Sequence, residues 1–284
     1  MIEWLLEPLS YAFMVRGLLA SLMVGVLCAV IGCYVVLRSM AFLGDALAHA
    51  ILPGVAVAYL VGANLMVGAL IAAIIVALMI GYFSRSGAVK EDTAIGILFA
   101  AALSLGVALI STIRTYAVDL SHILFGNVLG VSAENLWLTA AITVTVLVVL
   151  ALLYRPFLVM SFDPVLAATL RMPRDLLRNL LLVLLSLTVV VSMQTVGIGL
   201  VAAMVVTPGA TAYLLTRRLP SMMLVSAAVG AVSSVVGLYI SYYANIASGA
   251  AVVLVATFFF LLAFFFAPQR GVLRQLRGVH ASEN

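Results

Sequence analysis

"MAFLGDALAHAILPG", residues 40–54, sets a carboxylate (Asp45) and an imidazole (His49) four residues apart in a run that is otherwise apolar. Four residues along an α-helix give about 400° of rotation and about 6 Å of rise, so the two side chains share a face. The rest of the chain makes that placement unusual. Of 284 residues, 66% are hydrophobic and 8% charged, whereas a soluble domain carries about 25% charged residues. Such a composition excludes a soluble protein and predicts an all-α, polytopic membrane protein.

A helix needs about 20 apolar residues to cross the hydrocarbon core. Nine runs qualify, at roughly 13–37, 41–62, 65–83, 93–113, 133–154, 179–197, 199–216, 222–243 and 249–267. Several are rich in Val and Ile, which suit strands in water. In lipid every backbone polar group must be satisfied within the segment, and that selects helices. Small-residue runs such as "GALIAAIIVA" from Gly68 allow close helix approach. No polar stretch exceeds about 25 residues, too short for a core of its own, so a single transmembrane domain is expected over 1–284. The acidic start "MIEWLLEPLSYAF" lacks the basic region of a removable signal peptide. Cys28 and Cys33 lie on different helical faces and read as small packing residues.

Nine alternating spans place twelve of the fourteen basic residues on one side: Arg38, Arg85, Lys90, Arg155, Arg171, Arg174, Arg178, Arg217, Arg218, Arg270, Arg274 and Arg277. Arg16 and Arg114 fall elsewhere. The positive-inside rule makes the basic side cytoplasmic, with the N-terminus outside and a cytoplasmic tail at 268–284. The net charge of +4 therefore reflects topology and gives no reason to expect a nucleic-acid partner. Two runs are interrupted, by Pro53-Gly54 and by Thr207-Pro208-Gly209. Broken segments of this kind either line a transport path or are kinks held by neighbouring helices. If one of them is re-entrant, the span count is eight.

A lone carboxylate in lipid is costly and is expected to be paired or neutralised. Carboxylate oxygen with imidazole nitrogen is also a ligand set for first-row divalent metals. The competing reading of Asp45 and His49 is a capped, interfacial helix start with the imidazole hydrogen-bonded one turn deeper. "YAVDLSHILFGNVLG" carries Asp119 and His122 on the predicted outer side, either a point of metal entry or a solvated loop. In "SFDPVLAATLRMPRDLLRN", Asp163 is placed to cap a helix that begins at Pro164 and is stopped by Pro173. Its apolar stripe (Val165, Leu166, Thr169, Leu170) suits a membrane surface or a docking site for a cytosolic partner. Lys90-Glu91-Asp92 reads as a solvated cluster. There is no G-x-x-x-x-G-K-[ST], and Lys90 is the only lysine, so a P-loop for ATP is excluded. Uphill transport would draw on an ion gradient or on another polypeptide.

Six blocks in order, "VVLRSMAFLGDALAHAILPGVAVA", "KEDTAIGILFA", "VDLSHILFGNVLG", "SFDPVLAATL", "VGIGLVAAMVVTPGATAYLL" and "SGAAVVL", resemble the membrane permease of bacterial ABC importers for manganese, zinc and iron, most of all the manganese permeases. The resemblance covers almost the whole chain. It implies a type II importer bundle in the plasma membrane, in which two permease copies sit over two cytosolic ATPases and an extracytoplasmic metal-binding lipoprotein delivers Mn²⁺, Zn²⁺ or Fe²⁺. No permanently bound cofactor and no enzymatic activity of the permease itself are implied. Asp45 and His49 match the family's metal-site residues. The segment at about 161–175, with Asp163, Pro164, Ala167, Ala168, Arg171 and Arg174, matches its cytoplasmic coupling helix. Two departures stand out: family members often carry Gly where Arg171 stands, and many have Pro-Thr or Pro-Ala where this chain has Ala247-Ser248. A proton-coupled secondary metal transporter working without an ATPase is the alternative.

Overall fold

The computed structural model describes residues 7–85, 90–112 and 128–267. Asp119, His122 and the tail 268–284 lie outside the described residues. Among these residues twelve α-helices follow in order: α1 (Ala12–Leu37), α2 (Ala41–Ala50), α3 (Leu52–Leu60), α4 (Leu65–Arg85), α5 (Glu91–Ser111), α6 (Ala133–Leu152), α7 (Tyr154–Phe162), α8 (Pro164–Thr169), α9 (Arg174–Val196), α10 (Ile198–Leu215), α11 (Leu219–Ala244) and α12 (Ser248–Phe266). No strand occurs among the described residues.

Each of the nine apolar runs has its helical counterpart. Eight segments are long and apolar enough to cross a membrane, the pair α2–α3 counting as one, and α10 is shorter. The second run bends at Ile51, where α2 ends and α3 begins with Pro53 in its first turn. Proline is tolerated there because a first-turn N–H has no intrahelical partner to lose. Pro208, by contrast, lies inside α10, which continues through it. The sequence expectation missed α7, and α9 starts at Arg174 rather than 179. The polar, Pro-containing stretch "YRPFLVMSF" hides α7 from a hydropathy reading, and basic residues mask the first turn of α9.

Helix α1 is the hub, packed against α6, α9, α10 and α11. Outer helices reverse the soluble pattern. In α4, Ala69, Ala73 and Ala77 point inward while Val67, Ile71 and Ile75 are exposed, so small residues bring backbones together and branched ones meet lipid. Hydroxyls join the helices: Ser186 donates to the Ala73 carbonyl at 3.2 Å and Ser226 to the Ala29 carbonyl at 2.8 Å. Cys28 and Cys33 are buried, with Cys28 Sγ 3.0 Å from Ser192 Oγ, as expected of packing residues.

The glycines of both Pro-Gly breaks sit where helices meet. A Cβ on Gly54 would collide with the Gly68 carbonyl of α4, and one on Gly209 would stand 3.0 Å from the Gly32 carbonyl of α1.

Ion pairs gather the basic residues at one end of the bundle. Arg85 Nε lies 3.1 Å from Asp175 Oδ2, and Arg38 Nη2 lies 4.0 Å from Glu91 Oε2. The ends of α1 and α4 and the starts of α5 and α9 therefore share that end, the parity that the charge count requires.

Candidate functional site

Helix α2 starts at Ala41, right after the basic end of α1. Its Leu43, Gly44, Ala46, Leu47, Ala48 and Ala50 are buried, leaving Phe42, Asp45 and His49 along one accessible stripe. Gly44 lies against Ala202 of α10, which seats the helix from behind. In front, the ring of Phe99 from α5 stands edge-on to His49 at 5.5 Å and to Phe42 at 5.4 Å. Asp45 is thus in the second turn of α2 and does not cap it; Met40 holds the cap position without a side-chain bond.

His49 Nδ1 lies 3.0 Å from the main-chain oxygen of Asp45 and 3.5 Å from its carboxylate Oδ1. A carbonyl oxygen can only accept, so Nδ1–H is the donor in this bond, which leaves Nε2 as the ring nitrogen free to offer a lone pair to a metal. The carboxylate is not consumed by that bond. Side-chain exposures of 35% for Asp45 and 23% for His49 leave both open to a passing ligand. Among the described residues no cluster of three or more His, Cys, Asp or Glu is built for a metal; one chain offers this pair.

The link before α2 exposes Ser39 and buries Met40. Phe157 of α7 is fully buried, 5.6 Å from the Tyr34 ring, and Met40 is buried with it. Arg38 is also largely buried, and desolvation pushes its guanidinium below the ordinary arginine value, with Glu91 pulling the other way and nearby Arg178 adding to the fall. Here the sequence reading needs correction. Glu91 is not part of a merely solvated cluster: its Oε1 is buried and it faces Arg38. Hydropathy reads Glu91 as a charge between spans and carries no signal of its long-range partner.

At the same end, Asp163 Oδ1 accepts from the N–H groups of Val165 (3.1 Å) and Leu166 (2.8 Å), capping α8 at Pro164. The helix is confined to 164–169, so the expected segment 161–175 divides: Ser161 and Phe162 close α7, and Arg174 opens α9. Ala167 is buried, while Ala168, Val165, Leu166 and Leu170 are exposed, an apolar knob beside Arg171 and Arg174. Arg171 has φ 51° and forms the turn that ends α8, its N–H donating to Ala168 and that of Met172 to Ala167. This left-handed position favours glycine. Arg171→Gly is expected to leave the thermal midpoint of the purified protein unchanged or to raise it by a few degrees, since it relieves about 1 kcal/mol of Cβ strain against glycine's larger unfolded-state entropy. A fall of several degrees in a melting experiment contradicts this.

A bundle of membrane-length apolar helices, with one polar pair on an accessible stripe, is the architecture of a membrane transport permease. The model of the ABC-3 family (ABC 3 transport family) matches residues 10–267, and the chain belongs to that family. The manganese transport system membrane protein MntC of Halalkalibacterium halodurans is 52% identical over 278 residues, 98% of this chain and 95% of its own. The manganese import system permease protein ScaB of Streptococcus parasanguinis is 44% identical over 261 residues, 92% and 93% of the two chains. Among solved structures, PsaBC from Streptococcus pneumoniae in complex with Fab superposes with a TM-score of 0.86 at 39% identity, over 97% of this chain and 99% of that one.

Proposed function

We propose that this chain is the permease through which an ATP-driven importer takes up a divalent metal, Mn²⁺ in the first place, with Zn²⁺ and Fe²⁺ as the chemically related cargoes. The observation that carries the proposal is the Asp45–His49 pair on the accessible stripe of a membrane-embedded helix, 3.5 Å apart. Asp45 offsets part of the ion's charge. His49 supplies Nε2, held in that role by its Nδ1–H bond to the main chain. Waters, main-chain oxygens or the same pair from a second permease copy complete the shell. The manganese relatives support the choice of cargo; the ligands alone do not, because one nitrogen and carboxylate oxygen accept Mn²⁺, Fe²⁺ and Zn²⁺.

The basic end faces the cytoplasm in this reading, where α8 with Asp163, Ala168 and Arg171 docks one of two ATPases. An extracytoplasmic lipoprotein hands over the ion on the opposite side; Asp119 and His122, which the alternation of spans in the sequence assigns to that side, are proposed for its entry. In cells depleted of manganese, loss of this subunit is expected to lower cellular manganese while iron and zinc hold, read by elemental analysis. Purified permease alone in liposomes under a pH gradient is expected to transport nothing; metal uptake there without ATP or ATPase would mean a proton-coupled carrier and overturn the reading.

A further inference from the structure

The basic end contains a charge network that the metal pair does not use. Arg38 closes α1 three residues before α2, and Glu91 opens α5. Their side chains are 15% and 27% exposed, and their nearest charged atoms stand 4.0 Å apart, beyond hydrogen-bond reach. Arg38 Nη1 and Glu91 Oε1 are both buried and have no hydrogen-bond partner among the described residues. A guanidinium and a carboxylate usually satisfy one another through two parallel bonds. Here both halves of such a fork are present, buried and unmade. A buried polar atom left without a hydrogen bond is costly, so an arrangement with the fork closed lies nearby in energy.

The backbone at the same joint is unusual too. Ser39, between Arg38 and the start of α2, has φ 57°, a conformation that costs a non-glycine residue free energy and persists only where its surroundings enforce it. Strain and unmade bonds coincide at the root of the helix that carries Asp45 and His49. Glu91 stands at the root of α5, whose Phe99 ring rests on His49. The pair therefore ties together, at their base, the two helices that face each other across the site.

The other end of the network reaches the docking segment. Arg38 and Glu91 line a polar cavity of about 450 Å³ together with Ser161, Arg174, Asp175 and Arg178. Ser161 lies just before α8 and the other three open α9 just after it. Asp175 holds Arg178 at 3.3 Å and Arg85 at 3.1 Å, while Ser161 Oγ and Arg178 Nε are again buried without partners. The walls of this cavity thus include the helix ends that flank α8 on both sides along the chain.

We propose that Arg38 and Glu91 are positioning residues for translocation, a two-position latch that is open in this structure and closes into a bidentate pair when the docking segment moves, drawing the roots of α2 and α5 together and changing access to Asp45 and His49. This rests on the permease reading above. The test uses the full complex of permease, ATPase and binding protein in liposomes, with Mn²⁺ as cargo and ATP hydrolysis measured in the same vesicles. If the unaltered complex shows no ATP-driven Mn²⁺ uptake, the permease reading itself fails. Given uptake, Glu91→Gln is expected to lower Mn²⁺ moved per ATP about tenfold, within the usual range of inter-site coupling, while hydrolysis continues. Arg38→Gln should do the same, and the double variant should be no worse than either single change, because the two groups act as a unit. Glu91→Asp keeps the charge and shortens the reach by one methylene, so it gives the same loss in a complex that folds even if the glutamine variant does not. A structural role alone would reduce hydrolysis and uptake in proportion; an unchanged Mn²⁺-to-ATP ratio in Glu91→Asp or Glu91→Gln overturns the latch.

Discussion

Cells carrying Asp45→Ala are expected to accumulate manganese no better than cells lacking the permease, although the protein and its complex form normally. Two unit charges 4 Å apart at an effective dielectric near 20 attract by about 4 kcal/mol, close to three decades in an equilibrium constant. Asp45 is 35% exposed, and solvent screening reduces that figure, which leaves a loss of about a hundredfold for a doubly charged ion. Folding should be spared for a specific reason. The close bond from His49 runs to the main-chain oxygen of residue 45 at 3.0 Å, and alanine keeps that oxygen. Asp45→Asn separates charge from shape: it retains the side-chain volume and should fail almost as badly. The measurements are cellular manganese by elemental analysis and recovery of the complex by co-purification. Normal manganese at normal protein level would remove Asp45 from the path.

How much of this was legible in the sequence depends on the range of the interaction concerned. The i, i+4 spacing of Asp45 and His49 and the Asp163–Pro164 helix start are local signals, and the structure displays both; of the basic residues, ion pairs bring Arg38, Arg85 and Arg178 to one end. The tautomer of His49 follows from a main-chain bond that no composition reveals. Helix α7 escaped because a nine-residue helix with a basic start lacks the length of a span, although it buries Phe157 and Met160. Glu91 escaped because its partner lies 53 positions away, at Arg38; long-range pairing has no signature in one sequence. The Pro-Gly breaks carried two readings, and what Gly54 and Gly209 do is pack against other backbones. Asp119 and His122 remain a reading of the sequence.

Transport and packing make different demands on the same helix. The stripe of α2 that carries Asp45 and His49 has to stay accessible, so the rigidity of the site comes from what lies behind it, through Gly44 against α10 and α10 against α1. The α1–α10 contact is therefore part of what holds the metal pair in place.

Gly32→Ala tests that contact and is expected to be the most damaging single methyl in the core. A Cβ at Gly32 lands on the carbonyl oxygen of Val205, and from the other side Gly209 already sits against the Gly32 main chain. The obstacle is backbone, which cannot rotate out of the way as a side chain can, so α1 and α10 must separate. Overpacking of this kind costs about 1–3 kcal/mol, and about 2 kcal/mol already changes the folded-to-unfolded ratio about thirtyfold in a marginally stable protein. Gly96 of α5 is the internal control: it is also mid-helix, and nothing lies within 4 Å of an added Cβ. There the gain in helix propensity, about 1 kcal/mol in water, meets no opposition, so Gly96→Ala should be neutral or stabilising. Thermal denaturation of the two purified variants, together with their steady-state level in membranes, separates the outcomes. If both substitutions have the same effect, helix propensity alone is at work and the close α1–α10 approach is not what supports the site; a drop confined to Gly32→Ala, with Mn²⁺ uptake falling alongside it, ties the metal pair to the packing behind it.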